Sequence, residues 1–369
     1  MTATLRVMLD QLVAPTDPDL ELASRELTRG LIAGAPAGCD VEGIAPAGPV
    51  DRPVELPGLA RVRRTALARR ELAAALQLGV GAGIGGGMIH SPTLLAPLVK
   101  HDRMHDNDQT VVTIWDLGPW DDPGQWPKSV VGWHRAMLKR AVKHADAVVV
   151  PTHSLARQLG EIAKLGERIR VIAGAAPQGF AVPVDEVGRR RAMDLPEGFV
   201  LLAGRAAPTD ALALGFAAVA RAGLDLPVVV IGAGDAEEPA IADLAAAAGV
   251  PERNLHVRGA LGVEDRAAVF GGAVTFVAPS QRSALPWRVL EALALGVPVV
   301  AASSPVHDEV IVDGGMLVDA SADALGAALD EALGSTAAVD RLGVLAADRG
   351  RAFSWRESAD RVWQLHAEL

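Results

Sequence analysis

Glu291 is the one carboxylate of the helix-like run RVLEALALG (Arg288–Gly296). That run follows an apolar strand, VTFVAP (Val274–Pro279), and a polar loop holding Ser283, and it leads into a second apolar strand from Pro298. Strand, loop, helix and strand in this order form one passage of a parallel sheet. The loop and helix start then lie at the carboxyl edge of the strands, where open α/β sheets take their ligands. Ser283, Arg288 and Glu291 are among the polar groups of this passage. A carboxylate in the first helical turn is also favoured by the helix macrodipole, whatever it binds. Farther upstream, Gly204 and Arg205 follow the apolar strand Phe199–Ala203 in the same manner.

Other groups point less far. Gly81–Gly87 (GAGIGGG) contains a Gly-x-Gly-x-x-Gly pattern, but it precedes a strand and opens no helix, so it fails the context of a dinucleotide loop. His101 and His105 with Asp102, Asp106 and Asp108 include metal-ligating residue types, yet they read as a polar, solvated connection, and no metal site is expected. Trp115, Trp120, Trp126 and Trp133 fall close together and suit either core or a partly exposed patch for a sugar or a protein partner.

The elements that must position these groups alternate. In the first half, strands are expected at Leu5–Leu12, Val41–Ile44, Met88–His90, Thr110–Ile114, Ala147–Pro151 and Ile169–Ile172. Helices are expected at Leu20–Gly34, Ala60–Leu78, Ser129–His144 and Ser154–Leu165, with residues 45–58 as loop. Residues 176–197, with Pro177, Pro183, Pro196 and a basic run, read as a linker. A second series runs through strands Phe199–Ala203, Val228–Ile231, Leu255–Val257, Val274–Pro279, Val299–Val300 and Met316–Val318, with helices between them. This is an α/β chain of two Rossmann-like, doubly wound domains.

The chain has 369 residues, enough for two domains with a core each. A net charge of −10 argues against a nucleic-acid surface. The single Cys39 excludes an internal disulfide and fits a reducing compartment. No apolar run has the length of a membrane span, so the expected location is cytoplasmic, with no integral membrane segment. The chain has six Phe and seven Trp but no Tyr.

Segments along nearly the whole chain resemble family-4 glycosyltransferases of the GT-B fold. They include IHSPTLLAPL (Ile89–Leu98), VVTIWDLGPW (Val111–Trp120), HADAVVVPTHSLARQL (His144–Leu159), FVLLAGR (Phe199–Arg205), VVVIGAGD (Val228–Asp235) and VLEALALGVPVVAASSPVHDEVIVDGG (Val289–Gly315). The resemblance implies two Rossmann-like domains facing across a cleft. Residues 1–175 would take the acceptor, 198–350 the donor, and 351–369 would form a helix crossing back to the first domain. It implies transfer of a hexose from a nucleotide-diphosphate sugar, with retention and with no metal or other cofactor. The acceptor would be a glycan, lipid or small molecule.

The resemblance places Glu291 at the ribose hydroxyls and Arg205, after Gly204, at the diphosphate. Ser283 stands where the family has the first Glu of its E-x7-E pair, and Arg288 could supply a compensating charge. On the acceptor side it places His90 and Asp116, with Trp115 where the family has a His. The family's diphosphate Lys is Asp210, read as the N-cap of the helix that follows. Its Gly-rich phosphate loop is Pro18–Leu22, a plain capped helix start. These replacements leave a second reading open, a GT-B protein without transferase chemistry that serves as a binding or scaffold protein.

Overall fold

A computed structural model describes residues 3–48, 54–102 and 107–369. The chain divides into two compact units. Unit 1 comprises residues 1–174, 283–285 and 354–369, and unit 2 comprises residues 175–282 and 286–353.

Unit 1 is built on seven parallel strands: β1 (Ala3–Met8), β2 (Cys39–Ala47), β3 (Arg61–Ala68), β4 (Met88–Ser91), β5 (Gln109–Thr113), β6 (Ala147–Val150) and β7 (Ile169–Val171). Their order is β3-β2-β1-β4-β5-β6-β7, so the winding reverses between β1 and β4. β5 and β6 are buried along their whole length, as expected of strands covered on both faces. The helix Pro18–Ala33 starts where Asp17 accepts hydrogen bonds from the N–H groups of Asp19 and Leu20.

Three expectations fail here. The strand expected over Leu5–Leu12 ends at Met8, and Asp10–Val13 is helical. Ala60–Leu78 is not one helix: Arg61–Ala68 is the edge strand β3, and only Arg69–Gln77 is helical. The Ala, Leu and Arg content favours helix locally, but in-register pairing of Glu42–Ala45 with Arg61–Arg64 overrides it. Four positions of β3 carry Arg or Thr side chains, which suit an edge that must not pair further. The same pairing extends β2 to Ala47, into the stretch expected as loop.

The C-terminal helix Trp355–Glu368 belongs to unit 1. Trp363 Nε1 donates to Leu31 O at 3.0 Å, Ser358 Oγ to Ala173 O at 2.6 Å, and His366 Nδ1 to Gln109 Oε1 at 2.9 Å.

Unit 2 is built on β8 (Phe199–Ala203), β9 (Val228–Ile231), β10 (Leu255–Val257), β11 (Ala273–Ala278), β12 (Val299–Ala302) and β13 (Met316–Val318), all parallel, in the order β10-β9-β8-β11-β12-β13. The reversal falls between β8 and β11. Phe216, Leu202, Val230, Val277, Val300 and Leu329 lie in its core. Residues 175–197 belong to this unit and contain the helix Glu186–Ala192. Arg189 joins that helix to Asp265 and Glu264 of the helix Val263–Gly272.

No helix among the described residues is long and apolar enough to cross a membrane. Both sheets are doubly wound and parallel, as the alternation of elements requires.

Candidate functional site

In a doubly wound sheet the crevice lies beyond the carboxyl ends of the strands where the winding reverses. In unit 2 this places the loops after β8 and β11 beside it, with the loop after β9 alongside. The first two are tied together: Ser280 Oγ donates to Thr209 O at 2.7 Å, and Arg282 Nη1 to Asp210 Oδ1 at 3.1 Å.

Gly204 leaves β8 at φ +146, a conformation that L side chains rarely adopt. A Cβ there would lie 2.9 Å from the Cβ of Asp210. The tight passage brings Asp210 Oδ2 to the Arg205 N–H at 2.7 Å. Asp210 is therefore not the N-cap of the following helix, which starts at Leu212 after Ala211 in the left-handed region and has no side-chain cap. Its carboxylate instead closes the β8 loop.

The Arg205 side chain is committed as well. Its Nη2 donates to Glu237 Oε1 at 2.9 Å and its Nε to the same oxygen at 3.2 Å. Glu237 Oε2 accepts from the N–H groups of Gly234, at 2.8 Å, and Ala206, at 3.3 Å. Hydrogen bonding to Arg205 holds the Glu237 carboxyl below the usual glutamate range, and the same pair raises the Arg205 pKa.

Glu291 lies apart from that cluster. It is the fifth residue of the helix Trp287–Leu295, past the first turn, so the macrodipole reading does not apply. Only 1% of it is exposed. Arg266 Nη2 donates to Oε1 at 2.8 Å, and Arg288 Nη1 to Oε2 at 2.6 Å. Glu291 thus joins the helix Val263–Gly272 to its own. The structure brings Arg288 to Glu291 and Arg205 to Glu237, in two separate ion-pair clusters.

The remaining residues singled out from the sequence belong to unit 1. Ser283 donates through Oγ to Asp121, and the Leu285 N–H reaches Trp115 O at 3.4 Å. Trp115 is buried, donates through Nε1 to Pro92 O at 2.8 Å and packs edge-on against Trp355. Asp116 accepts from the Gly118 N–H at 2.8 Å. His90, expected on an acceptor face, is wholly buried in β4 beside His366, with Nε2 3.4 Å from Thr113 Oγ1. Burial, reinforced by His366, holds its pKa well below the ordinary histidine range.

Of these tryptophans, Trp126 is 37% exposed, while Trp120 and Trp133 pack on the core. His101 Nε2 bonds Asp146 at 2.9 Å and Asp108 accepts from Gly87 N–H, whereas His105 and Asp106 lie outside the described residues.

Sequence reasoning passed over Glu237, Arg282, Arg266 and Asp10. Glu237 is the residue just before the helix Glu238–Ala247, after the glycines that follow β9, and that position was the available signal. Asp10 stands two residues after β1, at the winding reversal of unit 1. It is buried there, with Oδ2 accepting from Arg69 Nε at 3.0 Å. Desolvation raises its pKa against the opposing effect of Arg69.

Residues 198–335, which span the strands of unit 2, match the family model described as Glycosyl transferases group 1. No curated protein sequence matches the chain. Three solved structures resemble it over nearly its full length. Sucrose-phosphate synthase (tll1590) from Thermosynechococcus elongatus is 21% identical, with a TM-score of 0.74 over 99% of this chain and 98% of that one. Anabaena Alr3699/HepE, solved in complex with UDP and glucose, is 15% identical, with a TM-score of 0.72 over 100% of both chains. WaaG, a glycosyltransferase involved in lipopolysaccharide biosynthesis, is 15% identical, with a TM-score of 0.69 over 97% of this chain and 98% of that one. The fold is that of the GT-B glycosyltransferases, and residues 198–335 match their group 1 model.

Proposed function

We propose that the protein is a glycosyltransferase that moves a hexose from a nucleotide-diphosphate sugar to an acceptor, with retention of configuration. The observation that carries this reading is the match of residues 198–335 to the group 1 glycosyltransferase model, which covers the β8, β9 and β11 loops around the winding reversal. HepE, which shares the fold, is solved with UDP and glucose.

In this reading the donor lies on unit 2. Glycosidic cleavage leaves negative charge on the departing diphosphate, and a preorganised cation close to that charge lowers the barrier. Arg205 supplies that cation, on a loop whose turn Gly204 permits. Fixed guanidinium groups take the part a metal plays elsewhere. Arg288 adds charge near the start of the helix Trp287–Leu295. Glu291 acts first by holding Arg288 and Arg266, and a contact with the ribose hydroxyls requires this triad to open. Unit 1 supplies the acceptor side, where Asp116 and Trp115 follow β5.

The test is turnover. The full chain is incubated with a panel of nucleotide-diphosphate hexoses, each paired with mixtures of glycan, lipid and small-molecule acceptors, and release of nucleoside diphosphate is followed. One donor should be consumed, and Arg205→Ala should reduce the rate by about a hundredfold, the scale of losing one preorganised group at a developing charge. No release from any donor above the buffer blank contradicts the reading.

A further inference from the structure

We infer that Glu237 occupies the anion-recognition position of unit 2, so that a diphosphate ligand binds there only by displacing this carboxylate. The inference rests on the donor reading for the identity of the ligand, but its geometry stands by itself.

Donors from two different loops converge on one side chain. The Gly234 N–H comes from the loop after β9, while the Ala206 N–H and the Arg205 guanidinium come from the loop after β8. Backbone N–H groups and a guanidinium aimed together at one point beyond a parallel sheet form a receptor for an oxyanion. The local turn, in which the Glu237 N–H donates to Gly234 O at 3.1 Å, accounts for the Gly234 bond. It does not account for the two donors from the other loop.

The backbone is shaped to this contact. A Cβ on Gly234 would fall 2.8 Å from both Arg205 Nη2 and Glu237 Cδ, so any larger residue there would make the pair shift. Ala236, next to Glu237, holds φ +61, a left-handed conformation uncommon for alanine. The neighbouring Asp210 takes the Arg205 N–H and Arg282 in the same manner. Two side-chain carboxylates thus engage the donors of the β8 loop that a phosphate would use.

The occupant is displaceable. The Arg205 side chain is 63% exposed and that of Glu237 22%. An ion pair this open to water is weak, and a diphosphate brings more charge and more acceptor oxygens than one carboxylate. The consequence is low affinity for the ligand in the resting protein, with Glu237 setting it.

Calorimetric titration of the full chain with inorganic pyrophosphate and with UDP tests this in the unchanged protein and in Glu237→Gln. Glutamine keeps an acceptor for the Gly234 N–H and removes the competing charge. Affinity for both probes should rise about tenfold or more, given the size of close charge repulsion near a protein surface, and added salt should shrink the difference. Glu237→Ala gives the same rise and serves if the Gln variant does not fold. Equal affinity in the unchanged and variant proteins overturns the inference and leaves the donor reading intact. No binding of either probe to either variant also overturns it, and turnover then judges the donor reading. Tighter pyrophosphate binding in the variant without consumption of any nucleotide sugar upholds the inference and overturns the donor reading.

Discussion

Arg205 Nη2 lies 2.9 Å from Glu237 Oε1, and the two side chains come from loops that follow adjacent parallel strands. The cation best placed to meet a ligand phosphate is therefore already bound within its own unit. Asp210 completes the arrangement by accepting the Arg205 N–H.

Gly204 is the residue on which that loop depends. Gly204→Ala places a Cβ at φ +146, against the Cβ of Asp210. The substitution should cost about 1–3 kcal/mol, the range for a residue forced into a sparsely populated backbone region. A lowered urea midpoint with unchanged slope checks it.

Glu291 is predicted to matter for stability in its own right. Glu291→Gln leaves Arg266 without its buried counter-charge, and breaking such a pair costs about 3–5 kcal/mol. Replacing all three members, with Arg266→Met, Arg288→Met and Glu291→Leu together, should recover most of that loss because no unpaired charge remains. Thermal unfolding of the unchanged protein and the two variants separates these outcomes.

Acid should loosen the seat of the C-terminal helix. Burial pushes His366 down to about 4 from an ordinary value of 6.5. The folded state therefore favours the neutral ring: the stability this contributes is complete above pH 6.5 and is lost as pH falls toward 4. The span corresponds to about 3 kcal/mol. Melting temperatures measured from neutral pH to pH 4.5 should fall less steeply in His366→Gln, with His90, also held neutral by burial, supplying part of the remaining slope.

Val312 carries strain as the first central residue of the turn that the Gly314 N–H closes on Ile311 O at 2.8 Å, a position that favours glycine. It is β-branched, 52% exposed, and sits at φ +54 and ψ −108 at the end of the helix Pro305–Ile311. Val312→Gly should raise stability by about 1–3 kcal/mol through relief of that conformation. A lower urea midpoint would contradict it.

The strand framework was legible because buried parallel strands are short apolar runs between turn residues. Phe199–Ala203, Val228–Ile231, Leu255–Val257 and Met316–Val318 have the bounds read from sequence. The edge strand β3 was not legible, since Arg61–Ala68 has one exposed side and a helix-favouring composition, and only β2 makes it a strand. Arg205 and Glu291 could be picked out as polar groups near strand ends. Their partners could not: Glu237 is thirty-two residues from Arg205 and Arg266 twenty-five from Glu291. The single-sequence pattern carries no trace of pairs that form only when strands align. His90 was misplaced for the same reason, because a polar residue ending a short strand looks exposed until a helix covers it.

Hydrogen exchange of the full chain with and without a saturating nucleoside diphosphate tests most directly whether unit 2 holds the donor. Slower exchange is expected in 204–210, 232–237 and 279–282, the loops that follow β8, β9 and β11. Unchanged exchange in all three, or protection confined to unit 1, would contradict the donor site described for Arg205 and its neighbours.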